Sequence, residues 1–90
     1  MPKAVRLGDE SCGLDCKPTP AIECSPNVFV NDKGVVRVGD AFEAHCGHSR
    51  KVAVGSPNVY VNEKPVCRVG DSLTCGDKAC EGSPNVFINE

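Results

Sequence analysis

The amino-acid sequence predicts an all-β fold: three short-stranded β-hairpin repeats closed into a ring. Three observations predict it. The first is a block that occurs three times, as Ser25-Pro26-Asn27-Val28-Phe29-Val30-Asn31, Ser56-Pro57-Asn58-Val59-Tyr60-Val61-Asn62 and Ser83-Pro84-Asn85-Val86-Phe87-Ile88-Asn89. The second is an interleaved block, Arg6-Leu7-Gly8-Asp9, Arg37-Val38-Gly39-Asp40 and Arg68-Val69-Gly70-Asp71. Self-similarity of this kind marks a repeat architecture, in which each unit buries its apolar face only against its neighbours. The third is the phase. The chain begins with a return strand that has no partner before it and ends with a strand that has no return after it. Pairing the two closes the ring with approximate three-fold pseudosymmetry and leaves fewer exposed sheet edges.

In order along the chain, Ala4–Leu7 reads as a short strand ended by the turn pair Gly8-Asp9. Residues 10–24 are the first loop, where Pro18, Pro20 and Gly13 argue against helix. Val28–Val30 is a strand with Val28 and Val30 on one face and Phe29 on the other. Asn31-Asp32-Lys33-Gly34 is expected to turn it into Val35–Val38. The second copy runs Val59–Val61, a turn Asn62-Glu63-Lys64-Pro65, then Val66–Val69. Residues 41–55 and 72–82 are the second and third loops, and Val86–Ile88 is expected to pair with Ala4–Leu7. The whole is expected to be one repeat domain over residues 1–90, with copies at about 4–34, 35–65 and 66–90 and no extension domain.

A chain of 90 residues buries only roughly 60–65 % of the surface its unfolded form exposes. With three Phe, one Tyr and no Trp, its core needs a staple. Seven cysteines cannot all pair internally, and His45 and His48 flank Cys46, so a mixed Cys/His metal site explains the count better than a disulfide framework. The net charge of −2 is mixed along the chain with no basic run, which argues against a nucleic-acid partner. No apolar run is long enough to span a bilayer as a helix. Met1–Arg6 lacks the apolar core of a signal peptide, so the chain is expected to be made in a cytoplasm. A reducing cytosol favours thiolate ligands over disulfides.

The loops between the blocks hold the candidate ligands. His48 and Cys75 lie at the same distance from Ser56 and Ser83, and Cys16 lies within one residue of that register from Ser25. His45, three residues before His48, supplies a fourth donor for a tetrahedral site. The expected set is Cys16, His45, His48 and Cys75, with Cys12 and Cys46 as alternates. The other cysteines read as structural: Cys24 stands in the place of Gly55 and Gly82, Cys67 aligns with Val5 and Val36 in a strand, and Cys80 matches Ile22 and Ala53 and is expected to be packed. Asp9, Asp40 and Asp71 follow a turn glycine and read as backbone caps. Arg6, Arg37 and Arg68 are expected to pair with an acid or carbonyl of a neighbouring repeat, and Asn27, Asn58 and Asn85 to bond turn backbone. No nucleophile–base–orienter set, phosphate loop or aromatic stacking platform is legible. A closed Cys/His ligand set belongs to structural rather than catalytic metal.

The alternation of Pro65-Val66-Cys67-Arg68-Val69-Gly70-Asp71 with Gly55-Ser56-Pro57-Asn58-Val59-Tyr60-Val61-Asn62 resembles the PAAR-repeat family, and the likeness runs over residues 4–90. The family's name tetrapeptide is kept in part, as Pro65-Val66-Cys67-Arg68, Gly34-Val35-Val36-Arg37 and Lys3-Ala4-Val5-Arg6. The resemblance implies a small cone of short strands with one structural metal, zinc or iron, near its apex. It implies a tip that caps and sharpens a trimeric β-helical spike protein of a type VI secretion system or contractile phage tail and contacts the target membrane during puncture. It also implies effector proteins as possible cargo and a location at a virion tail or on a secreted spike. Similar members use three His and one Cys. This chain has two His, so at least one ligand is replaced. Two other readings compete: a small Cys/His metal-binding interaction module unrelated to a spike, and a thiol oxidoreductase built on Cys12 and Cys16. The spacing of the latter pair is not that of a redox Cys-x-x-Cys motif.

Overall fold

A computed structural model describes residues 1–13, 17–45 and 48–88. Among these residues there is no helix, and the chain forms a small all-β cone of 30 × 24 × 23 Å. Its strands are β1 (Ser11–Cys12), β2 (Phe29–Val30), β3 (Lys33–Gly34), β4 (Ala41–His45), β5 (His48–Lys51), β6 (Tyr60–Val61), β7 (Lys64–Pro65) and β8 (Lys78–Ala79). They pair antiparallel as β1–β8, β2–β3, β4–β5 and β6–β7.

The ring predicted from the repeat phase is present. The Val5 N–H donates to the Cys67 carbonyl (3.2 Å), the Val36 N–H to Val5 (3.0 Å) and the Cys67 N–H to Val36 (2.9 Å). These residues are equivalent in the repeat, so the bonds form a closed cycle. A second cycle surrounds it: Leu7 N–H to Gly34, Val38 to Pro65 and Val69 to Lys3, each 2.9 Å. The N-terminal stretch also pairs with the last repeat block, through a Lys3–Phe87 bridge and the Ala4 N–H on the Val86 carbonyl at 3.0 Å.

The hairpins are tighter than the sequence suggested. Asn31-Asp32 and Asn62-Glu63 alone make the turns, all with positive φ between 52° and 67°. That is the two-residue turn whose twist matches paired strands, and Asn and Asp tolerate it best. The return strands are therefore β3 and β7, not Val35–Val38 and Val66–Val69. The latter segments keep one bond each to the outgoing strand, from the Val35 N–H to the Val28 carbonyl and from the Val66 N–H to Val59, both 3.0 Å, and then bridge the neighbouring repeat, as Arg6–Val35 and Arg37–Val66. Pro65 correspondingly lies in β7 opposite Tyr60 rather than in the turn. It has no N–H to donate, and its carbonyl serves the outer cycle.

The segments read as loops are hairpins as well. Asp9–Cys12 pairs back on Thr19–Ala21, β4 on β5, and Asp71–Leu73 on Asp77–Ala79. Each then joins the next: Ala21 bridges Phe42, Val52 bridges Leu73, and Ser11 faces Ala79. Buried side chains alternate along them. By repeat phase they fall into the sets Val5/Val36/Cys67, Ala21/Val52/Ala79 and Ser11/Phe42/Leu73, all within 2 % of complete burial. Phe42 is the only aromatic side chain in this core.

Every Arg-x-Gly-Asp block is a type II turn. The Asp N–H donates to the Arg carbonyl at 3.0 Å in all three copies, and Gly8, Gly39 and Gly70 have φ of 90°, 91° and 99°. Only glycine reaches that backbone region without strain. A second glycine pattern reflects packing. A Cβ on Gly55 would lie 2.9 Å from Pro65 Cβ, and one on Gly82 would lie 3.0 Å from Lys3 Cβ. In the first repeat Cys24 takes the place of that glycine, and Gly34 then replaces the Pro or Lys across from it. Cys24 thus packs against the core as a small apolar side chain, as expected.

Candidate functional site

Two regions of the cone carry functional candidates: the base, where the Ser-Pro-Asn blocks turn, and the end where the three hairpins carry the Cys and His residues.

At the base, each Ser hydroxyl organises a block. Ser25 Oγ accepts from the Asn27 and Val28 N–H groups at 3.3 and 3.0 Å, and Ser56 and Ser83 do the same in their own blocks. Each hydroxyl is buried with its serine. The hydroxyls donate across repeats: Ser25 to Asn62 Oδ1 and Ser83 to Asn31 Oδ1, both at 2.6 Å. Asn62 Nδ2 returns a bond to Asn27 Oδ1 (2.9 Å), and Asn31 Nδ2 to Asn85 Oδ1 (3.0 Å). The Asn side chains therefore lace one repeat to the next, where the sequence suggested local turn bonding.

The arginines follow a related correction. Arg6, Arg37 and Arg68 each grip the Asp of their own turn with two guanidinium nitrogens at 2.8–3.1 Å, not an acid of a neighbouring repeat. The same carboxylate also caps the Arg N–H at 2.7–2.9 Å, as the sequence indicated for the aspartates. The expected carbonyl of a neighbouring repeat is met: Arg6 reaches the Gly82 carbonyl and Arg37 the Cys24 carbonyl, and each also bonds the turn asparagine of its own copy, Asn31 and Asn62. The hydrogen bond to the aspartate raises the pKa of Arg6 and Arg37 above the usual guanidinium value. A cleft of 440 Å³ beside Arg6 and Asp9, which are engaged with each other, is also lined by Lys3, Lys33 and Glu81.

Outside this lacing, the base exposes aromatic side chains beside the hairpin charges Asp32, Lys33, Glu63 and Lys64. Phe29, Tyr60 and Phe87 occupy equivalent positions in the three blocks and are 60 %, 58 % and 46 % exposed. Most aromatic side chains of a small domain are recruited to its core. Here three of the four stand on the surface, at positions related by the pseudo-three-fold.

By sequence position the predicted ligands fall in all three of the segments between the blocks. Cys75 lies in the turn that joins the two arms of the third, as a free, half-buried thiol packed against the core. His45 and His48 face each other in register at the end of β4 and β5, and their side chains lie outside what the structure describes. Cys16 and Cys46 also lie outside the described residues. Cys12 is in contact with Cys80 as a disulfide. Cys80 is therefore exposed and paired rather than packed as the sequence suggested. Its neighbours in the repeat alignment, Ile22 and Ala53, gave no warning, because the pairing belongs to one seam only. Cys67 matches its expectation: it is fully buried, and burial pushes its thiol pKa far up. Among the described residues no three His, Cys, Asp or Glu side chains converge as a metal cage.

Beneath the tips lies a polar set the sequence did not reveal. Thr19, Arg50 and Asp77 are equivalent in the repeat phase. Arg50 is only 1 % exposed. Its Nη1 stands 3.3 Å from Ser11 Oγ, the Lys17 carbonyl and Thr19 Oγ1, and 3.0 Å from Asp77 Oδ2, a contact close in distance but outside hydrogen-bond geometry. Arg50 Nε has no partner among the described residues. One guanidinium thus joins all three hairpins just below their tips. Gly13 is required here, since a Cβ would overlap the Asp77 carboxylate. The only hint in the sequence was the even spacing of Arg50 and Val52, the alternation of a strand.

A family model described as PAAR motif matches residues 43–90, more than half of the chain. The chain matches no curated protein.

The buried ion pair makes an asymmetric prediction. Replacing Asp77 by Ala leaves the Arg50 charge buried and costs about 3–5 kcal/mol in urea unfolding. The Arg50→Met/Asp77→Ala double variant removes the stranded charge and recovers most of that loss. Equal destabilisation by the single and double variants would contradict the account.

Proposed function

Because this chain belongs to the PAAR-motif family, whose members are spike-tip proteins of type VI secretion and phage-like systems that associate with spike proteins, we propose that it caps and sharpens a trimeric β-helical spike. It does so as a structural element and not as an enzyme. The observation that carries the proposal is the base: a ring of three repeats closed by cyclic hydrogen bonds, with Phe29, Tyr60 and Phe87 exposed at equivalent positions. A single chain of this form offers one contact to each strand of a trimer. The true three-fold end of a β-helix offers open strand ends, and the pseudo-three-fold base supplies apolar anchors and edge hydrogen bonds to them. The opposite end tapers through the three hairpins and leads in piercing a membrane. Effector proteins ride on the same tip.

The tip is held by one metal ion, zinc or iron, bound by Cys16, His45, His48 and Cys75, with Cys12 and Cys46 as alternates. Support comes from donor chemistry and placement. Thiol and imidazole donors suit these metals, and by sequence position they come from all three segments between the blocks. The free Cys75 thiol is available in the third. When bound, the metal supplies a crosslink among the three hairpins beyond their shared core of Ala21, Phe42, Val52, Leu73 and Ala79. The chain is made in a cytoplasm and travels to the end of a spike or virion tail.

Titration of the protein against a purified trimeric β-helical spike tests the docking. One chain binds per trimer, and Tyr60→Asp or Phe29→Asp weakens binding at least about ten-fold, as loss of a buried aromatic anchor does, while the melting temperature holds. Binding of three chains per trimer, or unchanged affinity in both variants, would overturn it. Elemental analysis of protein purified without added metal tests the second part. About one zinc or iron per chain is expected, with a melting temperature lowered by more than about 10 °C on chelation. A metal-free protein with an unchanged melt would refute the metal.

A further inference from the structure

The ring has three seams between repeats, and they are not equivalent. The chain runs continuously from the first repeat into the second and from the second into the third. Only the seam between the third and the first is closed by non-covalent contacts alone, apart from one feature: the Cys12–Cys80 pair. At the other two seams the positions equivalent to Cys12 and Cys80 are Glu43 and Ile22, then Thr74 and Ala53. The same backbone pairing holds at each, with Ser11 facing Ala79, Ala21 bridging Phe42 and Val52 bridging Leu73. The cysteine pair therefore breaks the pseudosymmetry at the one place where chain connectivity does.

We propose that Cys12 and Cys80 form a redox-conditional clasp, open as two thiols in a reducing medium and closed as a disulfide in an oxidising one, that locks the ring at its chain-discontinuous seam. The geometry allows closure without rearrangement. The two Cα atoms are 5.7 Å apart, inside the range a disulfide spans, and the link joins residues 68 apart in sequence. Cys80 is exposed and Cys12 half-buried, so a small oxidant reaches the pair. Of the other described cysteines, Cys67 is fully buried, Cys24 packs against the core beneath Gly34, and Cys75 is half-buried in the third hairpin turn and is not paired with another cysteine.

The step is a thiol–disulfide exchange with an acceptor disulfide such as oxidised glutathione. One thiolate of the pair attacks an acceptor sulfur and releases the first acceptor thiol. The other thiolate then attacks the mixed disulfide and releases the second. Two cysteine thiols lose two electrons and two protons overall, and one acceptor disulfide becomes two thiols. The clasp shares Cys12 with the alternates of the proposed metal. Its sulfurs, once joined, bind none, and the set Cys16, His45, His48 and Cys75 is left intact.

The test compares the full-length protein equilibrated in excess oxidised glutathione with the same protein in dithiothreitol, by alkylation and peptide mapping, thermal melting and metal content. The expected result is a Cys12–Cys80 linked peptide in the oxidised sample only. Closing a loop of this length should raise the melting temperature by about 10–20 °C, with metal content equal in the two states. The Cys12→Ser/Cys80→Ser variant melts at the reduced protein's temperature in both media. Alkylation of both cysteines in the oxidised sample would overturn the proposal without need of the variant. So would a redox shift that persists in the variant, or metal that is lost with these two residues.

Discussion

Three backbone hydrogen bonds, from Val5 to Cys67, from Cys67 to Val36 and from Val36 to Val5, close on themselves at the centre of the fold. Everything else depends on that cycle. It sets the three strands at a fixed angle about one axis, so that each Arg-x-Gly-Asp turn leaves the ring at an equivalent place and throws its hairpin toward the same end. It places each Ser-Pro-Asn block at the other end, within reach of the turn asparagine of the next repeat. The central residues must be small and apolar, because three side chains share the axis. Val, Val and Cys meet that demand, and Cys67 serves as an apolar side chain there.

With so little apolar volume, polar groups carry an unusual share of the structure. The three Arg–Asp pairs are short, two-pronged and largely buried, and each also satisfies a backbone N–H, so the carboxylate fixes the turn as well as the charge. The Ser–Asn bonds at 2.6 Å lace the base in the same way. Such networks hold only while every member is paired. That condition accounts for the repetition of whole blocks, since changing one Asn, Ser or Asp leaves a partner exposed to the same cost. It also frees Phe29, Tyr60 and Phe87 from core duty. A surface with three aromatic side chains in a triangular arrangement is costly for an isolated small protein and useful for one that docks end-on.

Much of this was legible in the sequence because the repeat phase is a direct record of geometry. The ring, the capping aspartates and the burial of Cys67 all followed from aligning the blocks, as did pairing of the chain's start with its last block, although that pairing is met at Lys3–Ala4 and not along Ala4–Leu7. The turn type did not, because Asn31-Asp32-Lys33-Gly34 presents a glycine that looks like part of the turn. That glycine is in fact dictated by the bulk of Cys24. The hairpin nature of the loops was hidden by prolines and by buried polar residues: Ser11, Thr19 and Arg50 alternate like a strand's inner face but carry no apolar signal. Arg50 and Asp77 come from different repeats, and their pairing is visible only in three dimensions. The same holds for Cys12 and Cys80, where alignment against Ile22 and Ala53 pointed toward packing. Of the candidate ligands, the structure speaks to the side chains of Cys75 and Cys12 alone; the metal itself rests on donor type and repeat position.

The ring's dependence on its central cycle is open to one direct measurement: native-state hydrogen exchange at the Val5, Val36 and Cys67 amides across a denaturant series. If the cycle closes as a unit, all three amides exchange only through global unfolding, with one common free energy equal to the stability of the whole domain. If Val5 exchanged through a local opening while Val36 and Cys67 stayed protected, the first and third repeats would be separable. The chain would then be an open array of repeats, and the three-fold base on which the docking account rests would not exist as a fixed surface.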